Sequence, residues 1–291
     1  MQRFVVLTFD GLTQGSIYAA VALSLVLIWR ATRVINYAQG AMAMFTTYVA
    51  LFAIQKGVGY WGAFAIALAL GLVMGAVVER VLARPVESAP PLNVIILTLG
   101  LLLLLEAVAP MLFGGNIRSF PPAFSIVGLQ IGSSRVPLSP FALFTLGSVL
   151  GTAVLLGLFF RLTKLGLWMR ASAFHPEMAR LLGIRVGRML TLGWALAALV
   201  GSLAGLLVAP TLLLYPTNMD QVLVLGFTGA VLAGLESPAG AVVGGLVIGL
   251  ALSYVGGYLG SDLETLGALA ILLAVLMLRP QGLFSWRERS A

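Results

Sequence analysis

Residues 92–113 read LNVIILTLGLLLLLEAVAPMLF, an apolar run with one ionisable side chain, Glu106, and one proline, Pro110. As a helix its 22 residues rise about 33 Å, enough to cross the hydrocarbon core of a bilayer. The rest of the chain repeats the pattern. Apolar segments at 4–29, 36–54, 60–78, 138–160, 189–209, 221–235, 238–259 and 263–278 alternate with polar or Pro/Gly-containing intervals. The expected fold is an all-α, polytopic transmembrane helical bundle of about eight to nine membrane segments, built as a single domain over 1–291.

Composition points the same way. Apolar residues make up 60% of the chain and charged residues 9%, against a charged fraction of about 25% in soluble domains; mean hydropathy is +1.06. The net charge of +7 does not indicate nucleic acid, because the basic residues sit at the ends of apolar spans and not in a stripe with interleaved aromatics. The lipid bilayer is the partner this pattern fits. Zero cysteines exclude disulfides, zinc–thiolate sites and thiol catalysis. The N-terminus lacks the basic region, short apolar core and small-residue site of a removable signal peptide.

Several segments carry irregularities. The first is expected to break at the polar patch Asp10-Gly11-Leu12-Thr13-Gln14-Gly15-Ser16, and the sixth to stop at Pro210. Segments 36–54 and 221–235 are short for full spans and read as broken or re-entrant helices, which a membrane tolerates only where they are buried in protein or line a cavity. The interval 114–137 contains FSIVGLQI, with β character, and is expected to form an extended or hairpin-like extramembrane loop.

The longest strongly polar interval, 161–188, is RLTKLGLWMRASAFHPEMARLLGIRVGR and holds six of the seventeen Lys and Arg residues and the only His. Glu177 near the start and Arg180 near the end of a short helix after Pro176 suit the helix dipole, and Gly183 reads as its stop. The interval is either a solvated connector that fixes topology or a docking helix for a cytoplasmic partner. With 161–188 inside and every segment crossing, thirteen basic residues fall inside and only Arg3, Lys56, Arg118 and Arg135 outside. The same count places the C-terminus inside and the N-terminus outside, with nine crossings.

Glycines four apart, Gly71/Gly75, Gly201/Gly205, Gly240/Gly244 and Gly245/Gly249, put small residues on one helix face for close packing, within the chain or at a subunit interface. Catalytic constellations are missing. One histidine cannot supply a membrane metalloprotease pair, and no serine has a buried base. Asp10, Asp220 and Asp262 sit at segment ends, where an intramembrane aspartate dyad cannot form. Neither lysine follows a glycine as a phosphate-binding loop requires. No cofactor or metal is expected, and any ATP-driven work must come from another polypeptide.

These motifs add up to a resemblance. GLTQGSIYAAVALSLVLIWRATRVINYAQGAMAM at 11–44, RASAFHPEMARLLGIRV at 170–186, AGLESPAGAVVGGLVIGL at 233–250 and LRPQGLF at 278–284 resemble the ordered blocks of permease subunits of branched-chain amino-acid ABC transporters, over nearly the whole chain. The lack of a long N-terminal extension resembles the family's H-type subunit and not its M-type partner. The resemblance implies a multi-pass permease of the bacterial or archaeal plasma membrane. Its implied partners are a second permease (M-type, or another copy), two cytoplasmic ATPases and a periplasmic or surface solute-binding protein. It implies that Ala171, Ala179, Gly183, Ile184 and Val186 belong to the ATPase-coupling element. Glu177 and Arg180, read from the helix dipole, join them, and ATP binding is expected to move 171–184 as one rigid lever.

Two positions depart from the family pattern: Gln39 stands where many members have His, and Glu236 where Gly is usual. Polar candidates for the substrate pathway are Gln14, Ser16, Tyr18, Asn36, Gln39 and Glu106. Helix capping competes for Asn36, and structural pairing or snorkelling for Glu106. The alternative function is an ion-coupled secondary transporter, which wants intramembrane acids in both halves; Glu106 has no obvious counterpart in the sequence. A structural scaffold without a substrate is a third option.

Overall fold

A computed structural model describes residues 2–86, 89–128, 130–131, 134–135 and 138–278. The helices are α1 (Gln2–Thr32), α2 (Gln39–Gln55), α3 (Tyr60–Val78), α4 (Pro91–Phe113), α5 (Pro140–Leu162), α6 (Lys164–Phe174), α7 (Pro176–Leu181), α8 (Val186–Leu212), α9 (Asp220–Ala233), α10 (Pro238–Tyr258) and α11 (Glu264–Leu278). A π turn at Glu79–Ala83 and a 3-10 turn at Arg84–Val86 extend α3. The terminal LRPQGLF block lies outside the described residues beyond Leu278. The protein is an all-α polytopic membrane bundle.

Local chemistry sets most helix ends. Prolines with no N–H to satisfy occupy the first turn of α4, α5, α7 and α10. Ser139, Thr163 and Ser237 accept from the amides of Ala142, Gly166 and Gly240 at 3.0, 3.0 and 2.9 Å, capping α5, α6 and α10.

Six helices among the described residues, α1, α3, α4, α5, α8 and α10, are long and apolar enough to cross a membrane. With 17, 14 and 15 residues, α2, α9 and α11 rise only about 21 to 26 Å, short of a ~30 Å hydrocarbon core. The nine-crossing count is therefore not carried by helix length.

The bundle is built around α1 and α8, whose apolar windows are 78% and 83% buried, while those of α4 and α5 are each 22% buried and leave most of their surface facing outward from the bundle. The spaced glycines make the central approaches possible. Gly71 and Gly75 of α3 lie on Ser202, Ala198 and Trp194 of α8; Gly201 and Gly205 of α8 receive Gln39, Ala43 and Thr47 of α2. Gly245 and Gly249 of α10 meet the backbone of α1 at Ala19 and Gly15. All these contacts are within one chain.

Four sequence expectations need correction. The polar patch at 10–16 does not break α1. Thr13 and Ser16 donate back to the carbonyls of Phe9 and Leu12 at 2.8 and 2.6 Å, and Gly11 and Gly15 supply the close face for α10, so the helix gains packing where it loses hydrophobicity. Likewise α8 does not stop at Pro210 but runs on to Leu212. The β character of 124–131 yields a hairpin only at its end, Gln130–Ile131 against Ser134–Arg135.

The fourth correction concerns the lever. Residues 171–184 are not one helix, because the chain breaks at His175 (φ −139°, ψ 76°) between α6 and α7. Pro176 has no N–H to give, and its ring disfavours helical backbone at the preceding residue.

Candidate coupling element and translocation chamber

At one end of the bundle α6 and α7 form a bent pair packed on α8. The short α7 closes with a left-handed glycine, Gly183 (φ +79°). The amide of Gly183 donates to the Arg180 carbonyl at 3.0 Å and that of Ile184 to the Ala179 carbonyl at 2.9 Å. This is a Schellman closure, and its apolar clasp is Ala179 with Ile184, Val186 and Leu190. Ala179 and Val186 are thus buried anchors, while Ala171 is half-buried on α6 and Glu177 and Arg180 are exposed. The outward surface carries Phe174, Met178, Leu181 and Leu182, the last two 83% and 79% exposed. Sequence reasoning passed over these large apolar side chains, which stand exposed on a polar segment.

A side chain at position 183 would meet nothing within 4 Å, so substitution there tests backbone conformation alone. Gly183→Val is expected to cost about 1–2 kcal/mol of local strain and loosen the closure. Gly183→Asn, which tolerates the left-handed region, is expected to retain most function. The check is the ratio of ATP hydrolysed to substrate imported in the assembled transporter; a similar ratio for Val, Asn and wild type would refute it. Glu177→Lys, which places a cation in the first turn of α7, is expected to raise the same ratio.

Behind this element lies an ion network that the sequence did not reveal. Glu79, 2% exposed, accepts from Arg84 Nε and Nη2 at 3.0 and 2.9 Å and from the Thr191 hydroxyl at 2.7 Å. Arg84 Nη2 also donates to the carbonyl of Gly187 at 2.7 Å. The pair thereby ties the end of α3 to the first turns of α8. Arg84→Met is expected to destabilise the protein by about 3 kcal/mol, the low end for a broken buried pair because the Arg84 side chain keeps contact with solvent. Glu79→Gln in addition should recover part of the loss. Thermal unfolding of the single and double variants checks it, and a double variant as unstable as Arg84→Met alone contradicts it.

At the opposite end of α1, α5, α8 and α10 a chamber of about 710 Å³ opens. Asp10, Thr13, Gln14 and Tyr18 of α1 line it with Ser139, Thr211, Gln221, Ser253 and Glu264, and with Ile126 and Gly128 of the long loop. Among the described residues its lining contains two carboxylates and no Lys, Arg or His. The Tyr18 hydroxyl donates to Gln14 Oε1 at 3.3 Å.

The other pathway candidates sit elsewhere. Ser16 is buried against its own helix. Asn36 accepts from the amide of Ala38 at 3.0 Å at the start of α2 and donates to Gln39 Oε1 at 3.2 Å. Gln39 in turn donates to the Ala197 carbonyl at 2.8 Å and fills the space over Gly201.

Glu106 of α4 has one carboxylate oxygen enclosed without a hydrogen-bond donor, and its carboxyl faces that of Asp220 at the start of α9. Asp220 is the first residue of α9 and is exposed.

Comparisons with known proteins bear on the family of the chain. The family model described as branched-chain amino acid transport system / permease component matches residues 7–278. The chain is similar to the high-affinity branched-chain amino acid transport system permease protein LivH of Salmonella typhimurium, 29% identical over 96% of this chain and 95% of that protein. It is also similar to BraD of Pseudomonas aeruginosa, 26% identical over 96% and 95%. A probable LivH of Methanocaldococcus jannaschii is 26% identical over 94% and 91%. With this match across almost the whole bundle, the chain belongs to the family of permease components of branched-chain amino acid transport systems, and is a membrane transporter subunit and not an enzyme.

Proposed function

We propose that this protein is the H-type permease of an ATP-driven importer that moves branched-chain or related amino acids across the plasma membrane by alternating access. Permeases of this family work with ATPase and solute-binding partners. The observation that carries the reading is the two-ended layout: an exposed apolar helix, α7, at one end of α1 and α8, and a polar chamber at the other. The end bearing α7 faces the cytoplasm, as the basic residues of 161–188 favour. There α7 seats in an ATPase, two of which serve this subunit and a second permease, M-type or another copy. The chamber faces the binding protein.

A volume of about 710 Å³ lies within the ~300–1,000 Å³ of small-ligand sites. The carboxylates of Asp10 and Glu264 suit a ligand ammonium, while Gln14 and Tyr18 offer neutral polar contacts. ATP binding draws the ATPases together and displaces the α6–α7 pair. Because the pair is bent at His175, the force reaches the bundle through the Ala179–Val186–Leu190 clasp and the Glu79–Arg84 tie and not along one rod.

The test is reconstitution with both ATPases, the partner permease and the binding protein. ATP hydrolysis should rise when the binding protein carries leucine, isoleucine or valine, and uptake should persist after an ionophore collapses the proton gradient. Uptake that follows the gradient and ignores ATP would favour ion coupling through Glu106 and Asp220.

A further inference from the structure

The end of the bundle beneath α6 holds positive charge that the coupling contacts leave unused. Arg33 is paired with Glu236, and Arg84 with Glu79. Arg30 at the end of α1 and Arg170 on α6 line one cavity of about 90 Å³ together with the Arg33–Glu236 pair, whose single carboxylate offsets one of the three guanidiniums in the wall. Among the described residues neither Arg30 nor Arg170 has a carboxylate within ion-pair distance.

Among the described residues three buried donors there also lack partners: Arg170 Nε, Ser172 Oγ and Trp194 Nε1. Ser172, 4% exposed, lines this cavity and an adjoining one of about 280 Å³, which Trp194, 1% exposed, lines as well. Orphaned buried donors are costly and call for an acceptor. Water would satisfy a hydroxyl or an indole, but would not neutralise two guanidiniums sharing one small cavity.

The walls say more about the occupant. Arg30 lies over the Phe160 ring, 5.5 Å from its centroid, and Met169 completes an apolar side. Phe160 brings the end of α5, a helix whose apolar window is only 22% buried, to the cavity wall. A free inorganic anion has no use for an apolar wall, whereas a phospholipid brings a phosphate and an acyl chain together.

We infer that α1, α6 and α8 enclose a site for the headgroup phosphate of an anionic inner-leaflet phospholipid, gripped by Arg30, Arg170 and Ser172, which anchors α6 to the bundle. The leaflet assignment rests on the orientation proposed above; the binding measurement does not.

The experiment uses the transporter complex purified in detergent. Native mass spectrometry and thermal unfolding are run with added phosphatidylglycerol, phosphatidylcholine or inorganic phosphate. Phosphatidylglycerol is expected to be retained and to raise the unfolding temperature, phosphatidylcholine and phosphate to do neither, and Arg30→Gln/Arg170→Gln to weaken retention at least about tenfold. Equal retention of both lipids, an unaffected double variant, or equal stabilisation by inorganic phosphate alone would overturn the site. If the double variant fails to assemble, Arg170→Lys and the wild-type lipid comparison decide the matter, and neither requires transport activity.

Discussion

Leu181→Asp, alone or with Met178→Asp, is expected to abolish ATP-driven uptake while the permease remains folded and inserted. Leu181 and Met178 are 83% and 62% exposed, so the permease itself loses no packing when they change. Their place on a short helix closed by Gly183 holds them outward on a clasp that neither substitution touches. Burying each against an ATPase is worth about 1.5–3 kcal/mol, so losing both weakens docking by about two to four orders of magnitude, before the cost of placing carboxylates in a desolvated interface. Co-purification of the ATPases, ATP-dependent uptake and the unfolding temperature of the permease are the readouts. Normal co-purification and uptake would remove α7 from the interface; a lowered unfolding temperature would instead show that these residues belong to the fold.

The second large effect is expected from Gly249→Val combined with Gly245→Val. A Cβ at 249 would sit 2.2 Å from Gly15 Cα, and one at 245 would sit 2.3 Å from the amide nitrogen of Ala19. The obstructing atoms are backbone, so no side chain can turn aside, and α10 must separate from α1. Overpacking at one site costs about 1–3 kcal/mol, and two sites on the same seam push the helix off together. Loss of monodisperse protein after detergent extraction is the expected outcome. Gly147→Val and Gly151→Val on α5, where an added Cβ meets nothing within 4 Å, serve as controls and should change little. Equal yields for the two pairs would mean that the α1–α10 seam is not what holds the bundle.

The branched-chain permease motifs were legible because they are local. Pro176, Glu177, Arg180 and Gly183 announce a short helix with its start and stop, and these signals act within one turn. The break at His175 was legible too, in the proline that follows it, but the expected lever was drawn across it as a single rod. Asn36 showed a similar ambiguity between capping and pathway; its bonds to Ala38 and Gln39 became visible only in space.

By itself the sequence determined the all-α membrane class, the extents of most helices, the polar interval with its short helix and the family. Each of these follows from hydropathy summed over a span or from proline, glycine and capping residues acting on their own turn. Only the tertiary structure decided which helices are central, that Asp220 faces Glu106, that Glu79 and Arg84 tie α3 to α8, and that Asp10, Gln14, Tyr18 and Glu264 share one chamber. The physical reason is the solvent. In water a helix declares its inner face by contrast with a polar outer one, but in a bilayer the lipid-facing side is as apolar as the packed side, so periodicity does not say which face meets which neighbour. That choice is made by close approach of glycines and by a few buried polar groups finding partners far along the chain.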